Sequence, residues 1–347
     1  MKVALVGAGG MARLYRSVYA RLPDVQWVLA VDISERELTA CKALGVQRIS
    51  TDFAEALADD IDMVDISTPN HLHEEQAIAA LNAGKNVLLQ KPMANTLTAA
   101  DRILAAAAKS KGHLGIYLSS YNNPLVWEIK RLVSGGHLGQ IQSVRARDAH
   151  PGGFNAKRAP ENWRSSRDHT GGGSFIQLSI HAINLIQWWL DAPITEIFAY
   201  SANQYSPNIG GDDVTTAVAK IDGGRFATFD SGWASDGMMR EIYGTKGSIV
   251  LRQNDGLLEV ELDHAYQSDL LQITEPDKPV QVARPLSSEP FDNADNPLNQ
   301  QRVFIERVAS GQPLMNTGQV GRRDLAVVVA AYDSAKSGKP VKVDVLR

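Results

Sequence analysis

The chain has 347 residues, too many for one ordinary hydrophobic core and enough for two. Its 35 Lys and Arg against 39 Asp and Glu give a net charge of -4, so there is no basic excess to neutralise a run of phosphates, and nucleic acid is not expected as a partner. The single cysteine, Cys41, rules out an internal disulfide and a thiolate metal cage.

Over the first 120 residues short apolar runs alternate with helical periods. Residues 3–6 read as a buried strand, 11–22 as a helix, 27–31 as a strand and 35–44 as a helix. Residues 63–66 follow as a strand, then a helix over 74–83 closed by Gly84, a strand over 86–89, an Ala-rich helix over 99–111 and a strand over 114–118. This alternation predicts a parallel sheet with helices on both faces. After residue 120 the rhythm changes. A helix over 125–134 and a strand over 141–147 precede a loop-like stretch, 148–173, and a long helix over 174–190. Strand-like runs then recur at 194–201, 215–221, 225–231, 239–243, 248–252 and 257–262, joined by turns such as Asp222-Gly223-Gly224 that suit antiparallel hairpins. A polar stretch, 275–297, leads to helices over 298–310 and 320–337. The expected division is a first domain over 1–120 and a second over 121–347, whose last helix is free to pack back on the first. The second sheet has helices for one face only, so its other face is expected to bind another copy of the chain. The apolar run at Val3–Val6 is too short for a signal-peptide core and enters a glycine turn, and no run approaches a membrane span; a cytoplasmic, membrane-free protein is expected.

Gly7-Ala8-Gly9-Gly10-Met11-Ala12 follows the first strand directly and opens a helical period, the context that a G-x-G-x-x-A dinucleotide turn requires. Gly7 permits the tight turn, Gly9 admits a pyrophosphate to the backbone, and Ala12 allows close packing. The helix start supplies amides and a positive dipole end, to which Gly10 and Met11 belong. Asp32, 20 residues after Ala12 at the end of the second strand, would accept both adenosine ribose hydroxyls and repel a 2′-phosphate, favouring NAD, with NADP less favoured; Arg36 softens that preference.

Four further segments carry a family resemblance: Ser67-Thr68-Pro69-Asn70-His71-Leu72-His73; Ala83-Gly84-Lys85-Asn86-Val87 leading to Gln90-Lys91-Pro92; Gly171-Gly172-Gly173-Ser174 opening a helix with His181; and Ala331-Tyr332-Asp333-Ser334-Ala335-Lys336-Ser337-Gly338-Lys339. Together, in this order, they resemble the Gfo/Idh/MocA family, which includes glucose–fructose oxidoreductase and inositol 2-dehydrogenase. The resemblance spans nearly the whole chain. It implies an α/β architecture: an N-terminal Rossmann domain plus a C-terminal α/β domain with a largely antiparallel, open-faced sheet that builds homodimers or homotetramers. It implies NAD(P)-dependent oxidation or reduction of a sugar, inositol or related polyol. Lys91 would then lie near the nicotinamide and the reacting hydroxyl, with a cis bond before Pro92. The same resemblance implies cofactor contacts from Ser67, Thr68, Pro69, Asn70, His73, Gln90 and Lys91. Three positions depart from the family pattern: Gln90 replaces a glutamate, Gln177 replaces an aspartate four residues before His181, and Ser119-Ser120-Tyr121-Asn122-Asn123-Pro124 lacks an arginine.

Oxidising an alcohol carbon by hydride loss requires removal of the hydroxyl proton. A neutral imidazole at His181 suits that task, and Lys91 can stabilise the alkoxide. Gln177 and His181 are four apart on one helix face. With the aspartate absent, Asp168 or His169 is the expected supporting group. Trp163 and Arg164 are expected at the nicotinamide end or as a packed surface loop, and Tyr121, Asn123, His150, Asn155 and Arg158 are candidates for hydroxyl recognition alongside Lys91, Gln177 and His181. His71 and His73 lack a third ligand, so no metal is expected. Two other readings stay open: a redox-neutral glycosidase or lyase acting through transient sugar oxidation, and a cofactor-binding regulator that has lost activity.

Overall fold

Val3, Ala4, Leu5 and Val6 are all buried, so β1 (Lys2–Val6) is covered on both faces, as a central parallel strand must be. The computed structural model describes residues 1–151, 162–253, 255–285 and 291–345. The chain forms two compact units, Met1–Asn122 with Leu286–Arg322, and Asn123–Pro285 with Arg323–Arg347.

In the first unit β1 is followed by β2 (Gln26–Val31), α1 (Glu35–Ala43), β3 (Arg48–Ser50), β4 (Met63–Ile66), α2 (His73–Asn82), β5 (Asn86–Gln90), α3 (Leu97–Ala107) and β6 (Leu114–Tyr117). The strands pair in parallel in the order β3-β2-β1-β4-β5-β6. This is the doubly wound dinucleotide-binding order, with the chain reversing direction between β1 and β4. The helix expected over 11–22 forms instead as two 3₁₀ segments, Gly10–Leu14 and Arg16–Ala20, broken at Tyr15. The break lets Tyr15 and Tyr19 send their hydroxyls inward to the Asp65 carboxylate on β4, while Arg16 donates to the Ala8 carbonyl at 2.8 Å. β3 lacks an apolar run and had no sequence signal.

The second unit opens with α4 (Pro124–Ser134), β7 (Ile141–Ala149), the four-residue α5 (Arg167–Thr170) and α6 (Ile180–Leu190). The long helix expected from 174 is interrupted: Phe175–Ser179 is a π-turn, and α6 starts after it. Seven strands follow, β8 (Ile194–Ala202), β9 (Val214–Ile221), β10 (Arg225–Gly232), β11 (Gly237–Gly244), β12 (Gly247–Arg252), β13 (Leu257–Leu262) and β14 (Tyr266–Gln267), then β15 (Gln272–Ile273) and β16 (Val280–Ala283). With the late strand β17 (Val341–Lys342), they form a sheet ordered β16-β13-β12-β11-β7-β10-β9-β8-β17, while β14 and β15 pair separately. Every pairing in the large sheet is antiparallel except β7 with β10. One face is buried beneath α6 and the π-turn. On the other, β9 exposes Thr216, Val218 and Lys220 between buried Thr215, Ala217, Ala219 and Ile221, and Tyr200 and Phe226 are 72% and 50% exposed.

The division expected after residue 120 needs one amendment, because the segment around α7 (Gln300–Ser310) belongs to the first unit. Phe304 lies so close over Gly115 of β6 that a Cβ there would meet its ring at 2.7 Å. Asn122 accepts from Gln300 N at 3.1 Å and Asn296 Nδ2 at 3.0 Å, and Ile116 N donates to Asn316 O at 2.7 Å. α8 (Gly318–Ser337) counts with the first unit up to Arg322 and with the second thereafter.

Candidate active site

Gly7 ends β1 at φ +84°, and a Cβ on it would lie 2.7 Å from Ser67 C and Thr68 N, so both backbone and space require glycine. The outer side of the turn is different. Gly10 has φ +48° and no atom within 4 Å of a Cβ position, and at Gly9 the nearest is at 3.8 Å. That open cradle beside the β1/β4 reversal fits a dinucleotide pyrophosphate. Met11 is half-buried and Ala12 is buried in the core. Asp32 is pinned to the turn: Oδ2 accepts from Ala8 N at 2.7 Å and Gly9 N at 3.2 Å, and Oδ1 from Ser34 N at 2.8 Å. Two turn amides are thus already committed to Asp32. A carboxylate with about four acceptor positions still has capacity for ribose hydroxyls. Arg36, expected near this site, is exposed on α1.

The end of β4 forms the opposite wall of this part of the first unit. Ser67 N donates to Val6 O at 2.7 Å, and Ser67 Oγ bonds both Tyr15 and Asp65. Thr68 Oγ1 donates to Gln76 at 2.6 Å; Pro69 is half-buried and Asn70 buried. His73 is fully buried, with Nδ1 2.9 Å from Pro92 O and Nε2 2.9 Å from Thr68 O. Its ring therefore ties the β4 loop to the Lys91-Pro92 segment and has no surface to offer a nucleotide. Burial pushes His73 down to about 4, against the opposing pull of the two carbonyls. Lys91 is half-buried at the carboxyl end of β5, its peptide bond to Pro92 is cis, and its N–H donates to Gln90 Oε1 at 3.0 Å. Gln90 itself is buried, with Nε2 lacking a hydrogen-bond partner among the described residues. Tyr121 is also buried. Sequence reasoning missed Asp65. Its signal was a carboxylate inside the apolar run 63–66. Burial raises it to about 6, opposed by hydrogen bonds from Tyr19, Ser67 and Tyr15.

In the second unit the Gly171–Gly173 run that opens the segment carrying His181 is demanded by the protein's own packing. A Cβ on Gly172 would meet the Tyr332 hydroxyl at 2.3 Å, and one on Gly173 would meet Asp212 O at 1.9 Å. Asp212 accepts from Gly173 N, Ser174 Oγ, Phe175 N, Thr215 Oγ1 and the Tyr332 hydroxyl at 2.7–2.9 Å. Tyr332 also accepts from Gly173 N at 3.1 Å and Ile176 N at 3.2 Å. This clamp fixes the start of the segment that carries Gln177, buried in the π-turn, and His181, half-buried in the first turn of α6. Gln177 lies in the π-turn and His181 in the α-helix that continues it. Asp168 and His169 are exposed on α5. Asn162 caps a 3₁₀ turn by accepting from Arg164 N at 3.0 Å, and the Arg164 guanidinium lies 4.3 Å over the Trp163 ring. Asn123 caps α4, accepting from Leu125 N at 3.0 Å. His150 is half-buried, its N–H on Gly232 O at 3.2 Å, and Asn155 and Arg158 lie outside the described residues. The sequence carries no local signal for the roles of Asp212 and Tyr332 or for the buried ion pair of Asp148 with Arg240, because each depends on partners far away in the chain.

No group of three or more metal-ligating side chains occurs among the described residues, and none of the described helices is long and apolar enough to cross a membrane. Residues 1–117 match the model of the oxidoreductase family with an NAD-binding Rossmann fold, and residues 126–250 match the GFO/IDH/MocA C-terminal domain. Levoglucosan dehydrogenase of Pseudarthrobacter phenanthrenivorans is 27% identical over 78% of this chain and 77% of its own. The 1,5-anhydro-D-fructose reductase of Ensifer adhaerens is 25% identical over 98% of both chains. A solved levoglucosan dehydrogenase in complex with NADH superposes with a TM-score of 0.87 over the whole of both chains at 21% identity, a likeness of fold. The chain is a member of the GFO/IDH/MocA family of NAD(P)-dependent oxidoreductases, with an NAD-binding Rossmann unit and a mostly antiparallel C-terminal sheet.

Proposed function

We propose that the protein interconverts a secondary alcohol and a ketone on a sugar, inositol or related polyol, with NAD as the hydride carrier. The observation that carries this reading is Lys91, half-buried at the carboxyl end of β5, at the edge of the sheet where the Gly7 turn and the Ser67–Asn70 loop also emerge. The sugar dehydrogenase and reductase among the relatives support the substrate class. When bound, the nicotinamide accepts or returns the hydride. Lys91 holds the substrate oxygen and favours its anionic form. His181 takes the hydroxyl proton during oxidation and gives it back during reduction. His73 positions Lys91 through the Pro92 carbonyl, and Tyr332 and Asp212 position the His181 segment. Asp168 or His169 supplies the support that Gln177 does not, and Trp163 and Arg164 contact the cofactor. We propose further that the chain forms a homodimer or homotetramer through the open face bearing Tyr200, Val218 and Phe226.

A panel of sugars and inositols with NAD and NADP, followed by absorbance and product analysis, tests this reading. NADH should accumulate in proportion to a keto product. Lys91→Ala and His181→Ala should each lower kcat/KM by about 10²–10⁴-fold, the usual worth of such groups. A product formed without NADH, or turnover that survives both substitutions, would be decisive against it.

A further inference from the structure

Glu37 sits on α1 with its side chain only 5% exposed, and it binds two arginines at once. Arg13 Nε and Nη2 contact its two oxygens at 3.0 and 2.6 Å, and Arg16 Nη1 contacts Oε2 at 2.8 Å. The same Arg16 atom donates to Ala8 O, inside the glycine turn, at 2.8 Å. Glu37 also stands beside Asp32: from a Cβ position on Gly9, Glu37 Cγ is 3.8 Å away and Asp32 Oδ2 3.9 Å. Two guanidinium groups and two carboxylates therefore share one edge of the dinucleotide turn, and their charges cancel.

A 2′-phosphate on adenosine is a doubly charged oxyanion that guanidinium groups recognise with paired N–H donors. Arg13 is 52% exposed and beside the turn, yet its fork is committed to Glu37. We propose that Glu37 is a second determinant of dinucleotide choice, acting by occupying Arg13 and Arg16 so that they cannot receive a 2′-phosphate. Asp32 excludes the phosphate by repulsion, whereas Glu37 withholds the cations that would bind it. The hydrogen bond from Arg13, together with that from Arg16, holds the Glu37 carboxyl below its ordinary range, so the lock remains closed at neutral pH. This inference rests on the reading that the Gly7–Ala12 turn holds the adenosine half of the cofactor.

Calorimetric titration of the full chain with 5′-AMP and adenosine 2′,5′-bisphosphate separates the two ideas without any turnover. Wild type should bind 5′-AMP more tightly than the bisphosphate. Glu37→Gln should improve bisphosphate affinity by about tenfold or more, the scale of one charge-assisted hydrogen bond, while 5′-AMP changes by less than about threefold. Arg13→Ala added to Glu37→Gln should remove most of that gain, and Glu37→Asp should keep the wild-type preference. An unchanged affinity ratio in folded Glu37→Gln protein overturns the role of Glu37. Wild type with no affinity for either nucleotide overturns the underlying reading of the turn as well. Should Glu37→Gln fail to fold, Asp32→Asn gives a second test. With Glu37 still holding both arginines, it removes the repulsion but supplies no cation, so the gain in bisphosphate binding should stay below about tenfold, and a larger gain overturns the proposal.

Discussion

Asp65 shows how one buried residue couples the nucleotide edge of the first unit to pH. Its carboxyl lies among Tyr15, Tyr19 and Ser67, with Tyr117 also nearby and apolar Leu5 and Leu88 on the flanking strands. Burial raises it to about 6, so the folded protein keeps this proton to a higher pH than the unfolded chain does. Its stabilising share is fully present below about pH 4 and is lost as pH rises through 6. Asp65→Asn, which cannot ionise, should gain stability relative to wild type between those limits, by at most about 3 kcal/mol, since each tenfold difference in proton affinity between the folded and unfolded chain is worth about 1.4 kcal/mol. Denaturant midpoints of both proteins from pH 4 to 7 check this; a constant difference across the interval would refute it. His73, pushed down to about 4, works with the opposite sign: its share is present above its ordinary value and is lost as pH falls through 4.

At the level of elements, the segment that leads into α6 depends on a clamp made by residues far along the chain. Tyr332→Phe removes a hydroxyl that accepts from two amides and donates to Asp212, and should cost about 1–3 kcal/mol. Hydrogen exchange at the Gly173 and Ile176 amides should accelerate and kcat should fall, with NAD affinity held within about twofold, since the dinucleotide turn is in the other unit. Slow exchange at both amides in the variant would show that the Tyr332 hydroxyl is not needed to hold them. The regular elements were legible because side-chain periodicity is local. Residues 257–262 are a strand with the bounds expected, and the Gly7–Ala12 turn declares itself by order and spacing. The helix expected over 11–22 was misread because an apolar pattern that repeats every third or fourth residue suits both 3₁₀ and α-helix, and only the reach of Tyr15 and Tyr19 to Asp65 decides between them. The Gly171–Gly173 run was legible as special, but its cause was not: Asp212 and Tyr332 lie about 40 and 160 residues further on.

For the molecule as a whole, the exposed sheet face of the second unit carries a prediction of assembly. Phe226→Glu places a charge among Val218 and its neighbours on that face and should convert an oligomer to monomers, as measured by sedimentation. An unaltered mass would place the contact elsewhere. The first unit, by contrast, is discontinuous: α7, which covers Gly115 on β6, arrives only after all of Asn123–Pro285. On the ribosome, that interval lasts roughly ten to thirty seconds at ordinary elongation rates. During it the β5–β6 surface has been synthesised but its lid has not, so a newborn chain carries an apolar strip that chaperones can recognise, and the dinucleotide domain is completed only after β7 to β16 have been synthesised.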